Sequence, residues 1–380
     1  MPSILRSVTK KVFIIITMVV TVLFLLACAA WFLPPGKYWW LALLGVGFAF
    51  LFFGTFLLFI FWIVFRSRWF LLPLGALLVG WNPLHAFFAL HPIAGSSEKK
   101  VDGAIRIMQW NVARFDEMTV KPRAGRSKRR EILEYVRKQD PDIICMQEFL
   151  ESNNLALLDA NIPFFRDSLG YRYYAYAMDH RRPDKRYEHG IAIFSKYPIR
   201  NTGRWKFGGP KALKADESYI YADIDIKGQV IRVFTTHLQS LLFTRTEFKN
   251  VEDIKKGADS TLEKSWAIFR KFRQAYGFRQ QQADKVRDQL NKSPYPVIIC
   301  GDFNDVPNSY AYHRIKGDLQ DAFTQKGFGI GRTFSSISPT LRIDYIMPDQ
   351  RFRVLQCRNP HPRLSDHFPV IADLLLENPE

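Results

Sequence analysis

The chain has 380 residues, 48% of them hydrophobic, and a formal net charge of +17. Its four cysteines lack the paired spacing of a zinc site or a disulfide framework, which argues against a small disulfide-stabilised or zinc-ribbon protein. Residues 101–380 carry +10 of the net charge. This charge fits an anionic partner such as nucleic acid, a phosphate ester or an acidic lipid surface, and it equally fits a soluble cationic domain without such a partner.

Apolar residues are concentrated in roughly the first 90 positions. Three stretches, 12–32, 38–65 and 69–90, approach or exceed the ~20 predominantly apolar residues that a transmembrane helix needs. Proline, asparagine and histidine interrupt the third stretch, so a re-entrant or interfacial segment is its alternative. We therefore predict that residues 1–91 form an all-α membrane anchor with three transmembrane helices, in contact with the lipid bilayer through residues 12–90.

The cations that flank these stretches predict an orientation. They precede the first stretch or lie between the second and third: Arg6, Lys10, Lys11, Arg66 and Arg68. The positive-inside rule places both groups in the cytoplasm. Three crossings then predict a multi-pass protein of the plasma (inner) membrane with an extracytoplasmic or periplasmic catalytic domain. Lys99 and Lys100 argue mildly against this orientation, and a cleaved signal peptide is the alternative for the first stretch.

After a linker at 92–102, short apolar runs alternate with polar loops and helices. The pattern predicts a helix over 127–139 and strands over 104–110, 142–146, 190–194, 219–226, 230–236, 296–300, 343–347 and 370–375. Such an order favours an α/β domain, here over residues 103–376, whose sheets are buried on at least one face.

A long basic stretch at about 240–290 departs from this alternation. Its spacing predicts a helical insertion with one apolar side. The basic face could hold an anionic substrate or lie on lipid headgroups, and a solvated charged face is the alternative.

Polar side chains recur at the ends of the predicted strands. They are Asn111, Glu148, His237, Asp302, Asn304, Asp344, Asp366 and His367. Each has an ordinary alternative, such as a turn residue, a surface carboxylate or a buried histidine. Because strand ends at one edge of a sheet bring distant residues into one cleft, their recurrence favours a single site that binds a hard cation and a phosphoryl group.

The chemistry of these side chains suggests a division of roles. Mg²⁺ prefers oxygen ligands and keeps several waters, so Glu148 and Asn111 would suffice to hold it. Mn²⁺ is the expected substitute. Such a cation can polarise a phosphoryl oxygen and stabilise the leaving oxygen.

Proton transfer requires a second group of residues. His367 has an unperturbed pKa of ~6.5, which suits the activation of a water. Asp344 lies inside an apolar strand, needs a buried partner, and can hold the tautomer of that histidine. Asn304 and His237 can donate hydrogen bonds to the phosphoryl oxygens.

The chain resembles the endonuclease/exonuclease/phosphatase superfamily, which includes DNase I-like nucleases, abasic-site endonucleases, inositol polyphosphate phosphatases and neutral sphingomyelinases. The similar segments are MQWN at 108–111, DIICMQE at 142–148, GIAIFSKYPI at 190–199, THL at 236–238, GDFN at 301–304, IDYI at 343–346 and SDHFPV at 365–370. The resemblance implies a four-layer α/β sandwich, in which two packed β-sheets are flanked by helices.

The same resemblance implies roles for the site residues. It places Asn111 and Glu148 near Mg²⁺, and it allows Asp366 to join a metal site. It also implies Asp302 and Asn304 near the scissile phosphate and the attacking water, His237 on a phosphoryl oxygen, and an Asp344–His367 pair. Whether His367 or Asp302 activates the water stays open.

The expected activity is Mg²⁺-dependent hydrolysis of phosphodiester or phosphomonoester bonds by a membrane-tethered, nuclease-like enzyme. A phospholipid or sphingolipid headgroup phosphodiesterase and an inositol-phosphate phosphatase are alternatives. A non-catalytic binding protein on the same fold is an alternative of another class. The expected partners are thus a phosphate-ester substrate (nucleic acid, phospholipid headgroup or inositol phosphate) and the lipid bilayer, and no protein partner is predicted.

Overall fold

A computed structural model describes residues 3–92, 97–117, 127–156, 158–208, 218–240, 262–336 and 338–377. The helices are α1 (Ser3–Ala29), α2 (Pro35–Val46), α3 (Phe48–Val64), α4 (Leu71–Val79), α5 (Trp81–Phe87), α6 (Arg129–Gln139), α7 (Asn161–Pro163), α8 (Leu262–Leu290), α9 (Tyr310–Lys316) and α10 (Ala322–Lys326). The strands are β1 (Ala89–Leu90), β2 (Ile105–Asn111), β3 (Ile143–Ser152), β4 (Tyr173–Arg181), β5 (Tyr187–Ser195), β6 (Ile199–Lys206), β7 (Ser218–Ile226), β8 (Gln229–His237), β9 (Val297–Asp302), β10 (Phe328–Gly329), β11 (Asp344–Pro348), β12 (Phe352–Arg358) and β13 (Val370–Leu376).

The chain divides into two compact units. The first, here called the helical unit, comprises Met1–Phe87, Ser240–Gln280 and Asp305–His313. The second, here called the sheet unit, comprises Phe88–Gln239, Gln281–Asn304 and Arg314–Glu380. The helical unit therefore contains two segments from the part of the sequence that was predicted to form the catalytic domain.

Among the described residues of the helical unit, one helix is long and apolar enough to cross a membrane. It covers Leu5–Ala29. The predicted spans at 38–65 and 69–90 are instead bent pairs of helices, with angles of 59° between α2 and α3 and 62° between Arg68–Val79 and α5. Each pair has the length and composition of a span only if its two halves count together.

The second break occurs at Gly80, a position where the packing of α1 leaves no room for a side chain. A Cβ at this position would lie 2.7 Å from the Cζ of Phe24 in α1. Phe24 can pack this closely only because glycine has no side chain. Glycine is also a weak helix former. A hydrogen bond of 2.8 Å from Trp62 Nε1 in α3 to Thr17 Oγ1 joins α3 to α1, and such polar contacts are common between apolar helices.

The sheet unit is built on two sheets. One has six strands in the order β12-β13-β2-β3-β5-β4, and the other has five in the order β11-β9-β8-β7-β6. Side chains from both sheets share one core, to which Ile107 and Ile143 contribute from the first sheet and Val233 and Ile298 from the second. The two sheets thus pack face to face.

Helix α6 covers the outer face of the six-stranded sheet. Alternate residues of a strand point to opposite faces, so Met108 and Ile144 pack outward against Ile132 and Val136 of this helix. Helices flank the sheets, and the predicted α/β fold class with packed sheets and an N-terminal apolar helix is confirmed. The predicted helix at 127–139 begins at Arg129.

Several predicted elements are present at the predicted positions. The hairpin of β7 and β8 turns at Lys227 and Gly228, which both have positive φ, as a two-residue hairpin turn of this hand requires. Part of the basic insertion forms the helix Leu262–Leu290. The remainder of that insertion, 241–261, and residues 93–96 of the linker lie outside the described residues.

The direction of the strands determines where the polar side chains of the predicted site lie together. Strand β2 runs parallel to β3, and β8 runs parallel to β9, so their carboxyl ends fall at one edge of each sheet. Asn111 ends β2, and His237 is in register with Asp302 at the end of β9. Antiparallel β11 begins at the same level, with Asp344 opposite Asp302.

Candidate active site

The carboxylate of Asp302 lies at the centre of the site. It is 1% exposed, and its Oδ2 accepts a hydrogen bond of 3.0 Å from Asn111 Nδ2. His237 Nε2 and His367 Nε2 lie 3.5 Å and 3.6 Å from the same oxygen. Oδ1 accepts a 2.8 Å bond from the backbone N–H of Asn304. Since a buried carboxylate is costly without partners, this ring of donors explains how it is tolerated.

Asp344 and His367 form a buried pair. His367 Nδ1 lies 2.9 Å from Asp344 Oδ2, and both residues are buried. The backbone N–H of Asp344 donates to Thr333 Oγ1 at 3.1 Å, and Trp110 Nε1 donates to the carbonyl of His367 at 2.9 Å. The backbone of each partner is therefore held, and the ring directs Nε2 toward Asp302.

The charges around His367 compete with its burial. Burial lowers the pKa of the imidazole, but the carboxylates of Asp344 and Asp302 outweigh it and raise that pKa to about 10. Burial also raises the pKa of Asp344, while His367 opposes that shift. Several acidic groups around one imidazole thus favour its protonated form. A cation beside Asp302 would cancel part of this effect and bring the pKa of the ring down.

Asp302, Asp344 and His367 also offer ligand atoms within 4.8 Å of one another. Within the described ranges, no other three His, Cys, Asp or Glu residues converge in this way. Of the residues predicted to bind metal, Asn111 joins this group through its bond to Asp302. Glu148 and Asp366 do not belong to the convergent group.

Glu148 lies on β3 at a break in its register with β5, between Met146 and Phe149, and has a left-handed φ of +48°. Its Oε2 forms an ion pair with Arg114 Nε at 2.9 Å. The two side chains are 26% and 41% exposed, so this part of the site faces solvent.

Arg114 is a site residue that the sequence reasoning missed. It lies in a run of four left-handed residues, Ala113–Asp116, with φ of 44° to 57°. Left-handed turns of non-glycine residues are unfavourable and need support from surrounding structure. Here Phe115 is fully buried, 5.5 Å from the ring of Phe149, and the N–H of Ala113 donates to Asn111 Oδ1. No local sequence pattern signals this conformation.

The remaining predicted residues surround this centre. His237 ends β8 with its side chain 13% exposed. Asn304 has a φ of +50°, and its Nδ2 donates to the carbonyl of Leu238 at 2.8 Å. Asp366 is exposed beside His367, and Ser365 Oγ donates to the carbonyl of Asn111 at 2.9 Å. The last bond ties this turn to the end of β2.

A second polar group lies next to His237 and was also missed. The rings of His180 and His189 are 5.1 Å apart. Burial lowers the pKa of His189 to about 3, and the charges of Arg114, His180 and His237 act in the same direction. Burial raises the pKa of Asp179 to about 6 against the opposing effects of its partners. Only the cross-strand register of β4 and β5 brings these residues together, so no linear motif could reveal them.

Comparisons with known proteins identify the family and the fold of this chain. The profile of the endonuclease/exonuclease/phosphatase family matches residues 108–367, and the profile of a domain of unknown function (DUF8431) matches residues 10–87. No curated protein matches the sequence significantly.

Solved structures share the fold. The catalytic domain of human nocturnin, with bound sulfate, is 19% identical with a TM-score of 0.51, over 73% of this chain and 96% of that one. An endonuclease/exonuclease/phosphatase protein from Beutenbergia cavernae is 18% identical with a TM-score of 0.51, over 74% and 72%. ANGEL2, a 2′,3′-cyclic phosphatase, is 16% identical with a TM-score of 0.50, over 73% and 97%.

The family match covers most of the chain and includes every predicted site residue from Asn111 to His367. Enzymes of this family generally depend on divalent metal ions. This chain belongs to the endonuclease/exonuclease/phosphatase family and is a phosphoric ester hydrolase.

Proposed function

We propose that the site hydrolyses a phosphomonoester or phosphodiester by directing a water at phosphorus. The observation that carries this proposal is the buried Asp344–His367 pair, whose free ring nitrogen lies 3.6 Å from Asp302 Oδ2. A carboxylate, an amide and two histidines meet there, which suits a phosphoryl group that gains negative charge. The site thus contains candidates for a base, for its orienting group and for hydrogen-bond donors to phosphate.

The cation expected in this family is Mg²⁺, held by Glu148 and Asn111, with Asp366 able to join and Mn²⁺ as a substitute. Their donor atoms are oxygens, which this ion prefers. Glu148 already forms an ion pair with the guanidinium of Arg114, so a positive charge is stabilised beside its carboxylate. When bound, the ion would polarise a phosphoryl oxygen and stabilise the leaving oxygen.

The residues of the chain supply the remaining steps. His367 Nε2 or Asp302 Oδ2 accepts a proton from the attacking water, and Asp344 keeps the Nδ1 proton of the ring in place. His237 and Asn304 donate to the phosphoryl oxygens.

The net charge and the proposed membrane attachment of the protein favour different substrate classes. The net charge of +10 on residues 101–380 favours a nucleic acid or another polyanion. The apolar helix Leu5–Ala29 supports attachment to a membrane, which favours the alternative of a phospholipid or sphingolipid headgroup. Inositol phosphates are polyanions that match the positive charge, but they give no reason for attachment to a membrane. DNA, RNA, sphingomyelin, phosphatidylinositol and inositol phosphates therefore form the panel to be tested.

The test is hydrolysis of a generic phosphodiester and a generic phosphomonoester by the full chain in detergent with Mg²⁺. We expect activity that EDTA abolishes and Mg²⁺ or Mn²⁺ restores, and a loss of roughly 10²- to 10⁴-fold in His367→Ala. His91→Ala is the matched control, since His91 is exposed and should leave the rate unchanged. Wild-type rates in His367→Ala would refute the assignment of the base. Binding of phosphate esters without any hydrolysis would favour a non-catalytic protein.

We also propose a multi-pass inner-membrane protein with its catalytic domain outside the cytoplasm, supported by the cations in the N-terminal part of α1 and between α3 and α4. An alkaline phosphatase fused after residue 100 should be active. A stable but inactive fusion would place the domain in the cytoplasm.

A further inference from the structure

The segment that follows Asn304 belongs to the helical unit. Residues 305–309 are all buried, and Asn308 is completely inaccessible to solvent. Asn308 Nδ2 donates a hydrogen bond of 2.8 Å to the carbonyl of Ala27, in the last turn of α1. The same carbonyl accepts a 3.2 Å bond from the backbone N–H of Ala30, and the Asn308 amide adds a side-chain cap from a distant part of the sequence.

Helix α2 contacts the backbone of the same residue. A Cβ on Gly45 would lie 2.8 Å from the carbonyl oxygen of Asn308 and 3.4 Å from Ala30 Cβ. Real Cβ atoms do not approach a backbone oxygen this closely, so only glycine allows α2 to pack here. Asn308 is thus enclosed by the C-terminal end of α1 on one side and by α2 on another.

Both ends of the segment 305–313 have further contacts within the helical unit. At its end, the ring of His313 meets Trp31 edge-on, with centroids 4.9 Å apart. At its start, Asp305 forms a buried ion pair of 3.3 Å with Arg279 of α8. An unsupported buried charge is costly, so this pair resists any displacement that would separate the two groups.

The same part of α8 is joined to the α1–α2 connection. Gln280 Oε1 accepts a 2.9 Å hydrogen bond from the backbone N–H of Gly36. The ring of Phe269 lies 5.9 Å from that of Trp39. Arg279 therefore reaches Asp305 from a helix that is itself fixed to the apolar helices.

A segment that served only as a membrane anchor would need a sufficient length of apolar residues. It would not need these hydrogen bonds, this ion pair or the close backbone packing at Gly45. We propose that the end of α1 and Gly45 of α2 position the segment 305–309, and through the peptide bond to Asn304 set the geometry of Asn304 and Asp302. Asn308 and Gly45 are then positioning residues for phosphoester hydrolysis. This inference rests on the proposed function, since it assigns the helical unit a positioning role in the same reaction.

The test substitutes one glycine of the helical unit at a time in the full chain. Gly45→Ala introduces a Cβ at 2.8 Å from the Asn308 carbonyl, whereas Gly75→Ala introduces one with no atom within 4 Å. Both changes are made in apolar helices, and neither alters a residue near the phosphoester site. We expect Gly45→Ala to lower kcat by roughly 10-fold with KM within about twofold of wild type, because displaced groups still bind substrate but are misaligned for reaction. Gly75→Ala should leave both constants unchanged.

A second variant keeps the test decisive if Gly45→Ala does not fold. Asn308→Ala removes the cap without adding atoms and should lower kcat in the same way. Thr17→Val is its control, since it removes another buried hydrogen bond, that from Trp62, within the helical unit. Wild-type kcat in folded Asn308→Ala, or an equal loss in Thr17→Val, would overturn the proposal.

Amide hydrogen exchange separates this inference from the proposed function. The backbone amides of the segment 305–309, except Pro307, which has none, should exchange faster in Asn308→Ala than in wild type, and at the wild-type rate in Thr17→Val. If the wild-type protein hydrolyses no phosphoester, the proposed function fails while the exchange result still reports on the contacts. If it hydrolyses one and Asn308→Ala changes neither exchange nor kcat, only the positioning role fails.

Discussion

The candidate site has an inner and an outer half, which differ in how completely their polar groups are buried and paired within the protein. In the inner half, Asn111, Asp302, Asp344 and His367 are buried and bond to one another. In the outer half, Glu148 is partly exposed and its carboxylate meets an exposed guanidinium. The inner half is fixed before any ligand arrives, whereas the outer half holds a charge that another cation can replace.

This difference suggests a division of labour. Preorganised groups stabilise a transition state because they need not reorient during reaction. Groups that must exchange a ligand need solvent access and weaker contacts. We therefore expect substitution of Asp302, Asp344 or His367 in the inner half to lower kcat, and substitutions in the outer half to change the affinity for the metal ion.

Asp302→Asn should have the largest effect. The substitution keeps the size of the side chain but removes the charge that faces both His237 and His367. We expect kcat to fall roughly 10³-fold with bound metal, measured at saturating substrate and Mg²⁺. A loss that extra Mg²⁺ reverses would instead show that Asp302 acts mainly as a metal ligand, and the division between the halves would break.

Asp344→Asn should come next, at about 10²-fold in kcat. The amide oxygen can still accept the hydrogen bond from Nδ1, but it carries no negative charge, so His367 loses its orienting charge. Because Asp344 raises the pKa of His367, its loss must lower that pKa. A neutral base is lost as the pH falls through its pKa, so the acidic limb of the pH–rate profile should move to lower pH. An unmoved limb would assign it to another group.

The inner half was largely readable from the sequence. Asp344 stands in an apolar strand, where a carboxylate must have a partner, and His367 was the expected one. Parallel pairing of β8 with β9 then makes His237 a neighbour of Asp302. These contacts follow from strand ends, which a hydrophobic pattern indicates, and from strand order, which only the structure provides.

The outer half and the helical unit were not readable in this way. Arg114 reaches Glu148 only through a left-handed turn, which the sequence gives no reason to expect. The requirement for glycine at position 80 depends on Phe24, a residue of another helix. The grouping of residues 305–313 with α1 depends on tertiary contacts such as the hydrogen bond from Asn308 to Ala27, across 281 positions. Such contacts are set by tertiary packing rather than by local periodicity.

Glu148→Gln tests the outer half directly. It removes the charge of an oxygen ligand while preserving its shape, so we expect metal affinity to fall roughly 10- to 100-fold. Titration of the rate with Mg²⁺ should show a raised half-saturation concentration and a kcat within a fewfold of wild type at saturation. A lasting loss of kcat at high Mg²⁺ would place Glu148 functionally with the inner half.

Arg114→Ala should have the smallest effect, and its sign is informative. The guanidinium lies on Glu148 at 2.9 Å, yet its Nε lacks the alignment of a hydrogen bond, and the side chain is 41% exposed. Partly exposed ion pairs of this kind contribute at most about 1 kcal/mol, or about fivefold in an equilibrium. If Arg114 only occupies the place of a cation, its removal should tighten Mg²⁺ binding by up to that factor, measured by the same rate titration. If Arg114 instead contacts the bound phosphate ester, KM for the substrate should rise while metal affinity stays constant. Arg114→Lys separates the two cases, because it keeps the charge but loses the planar fork that suits phosphate.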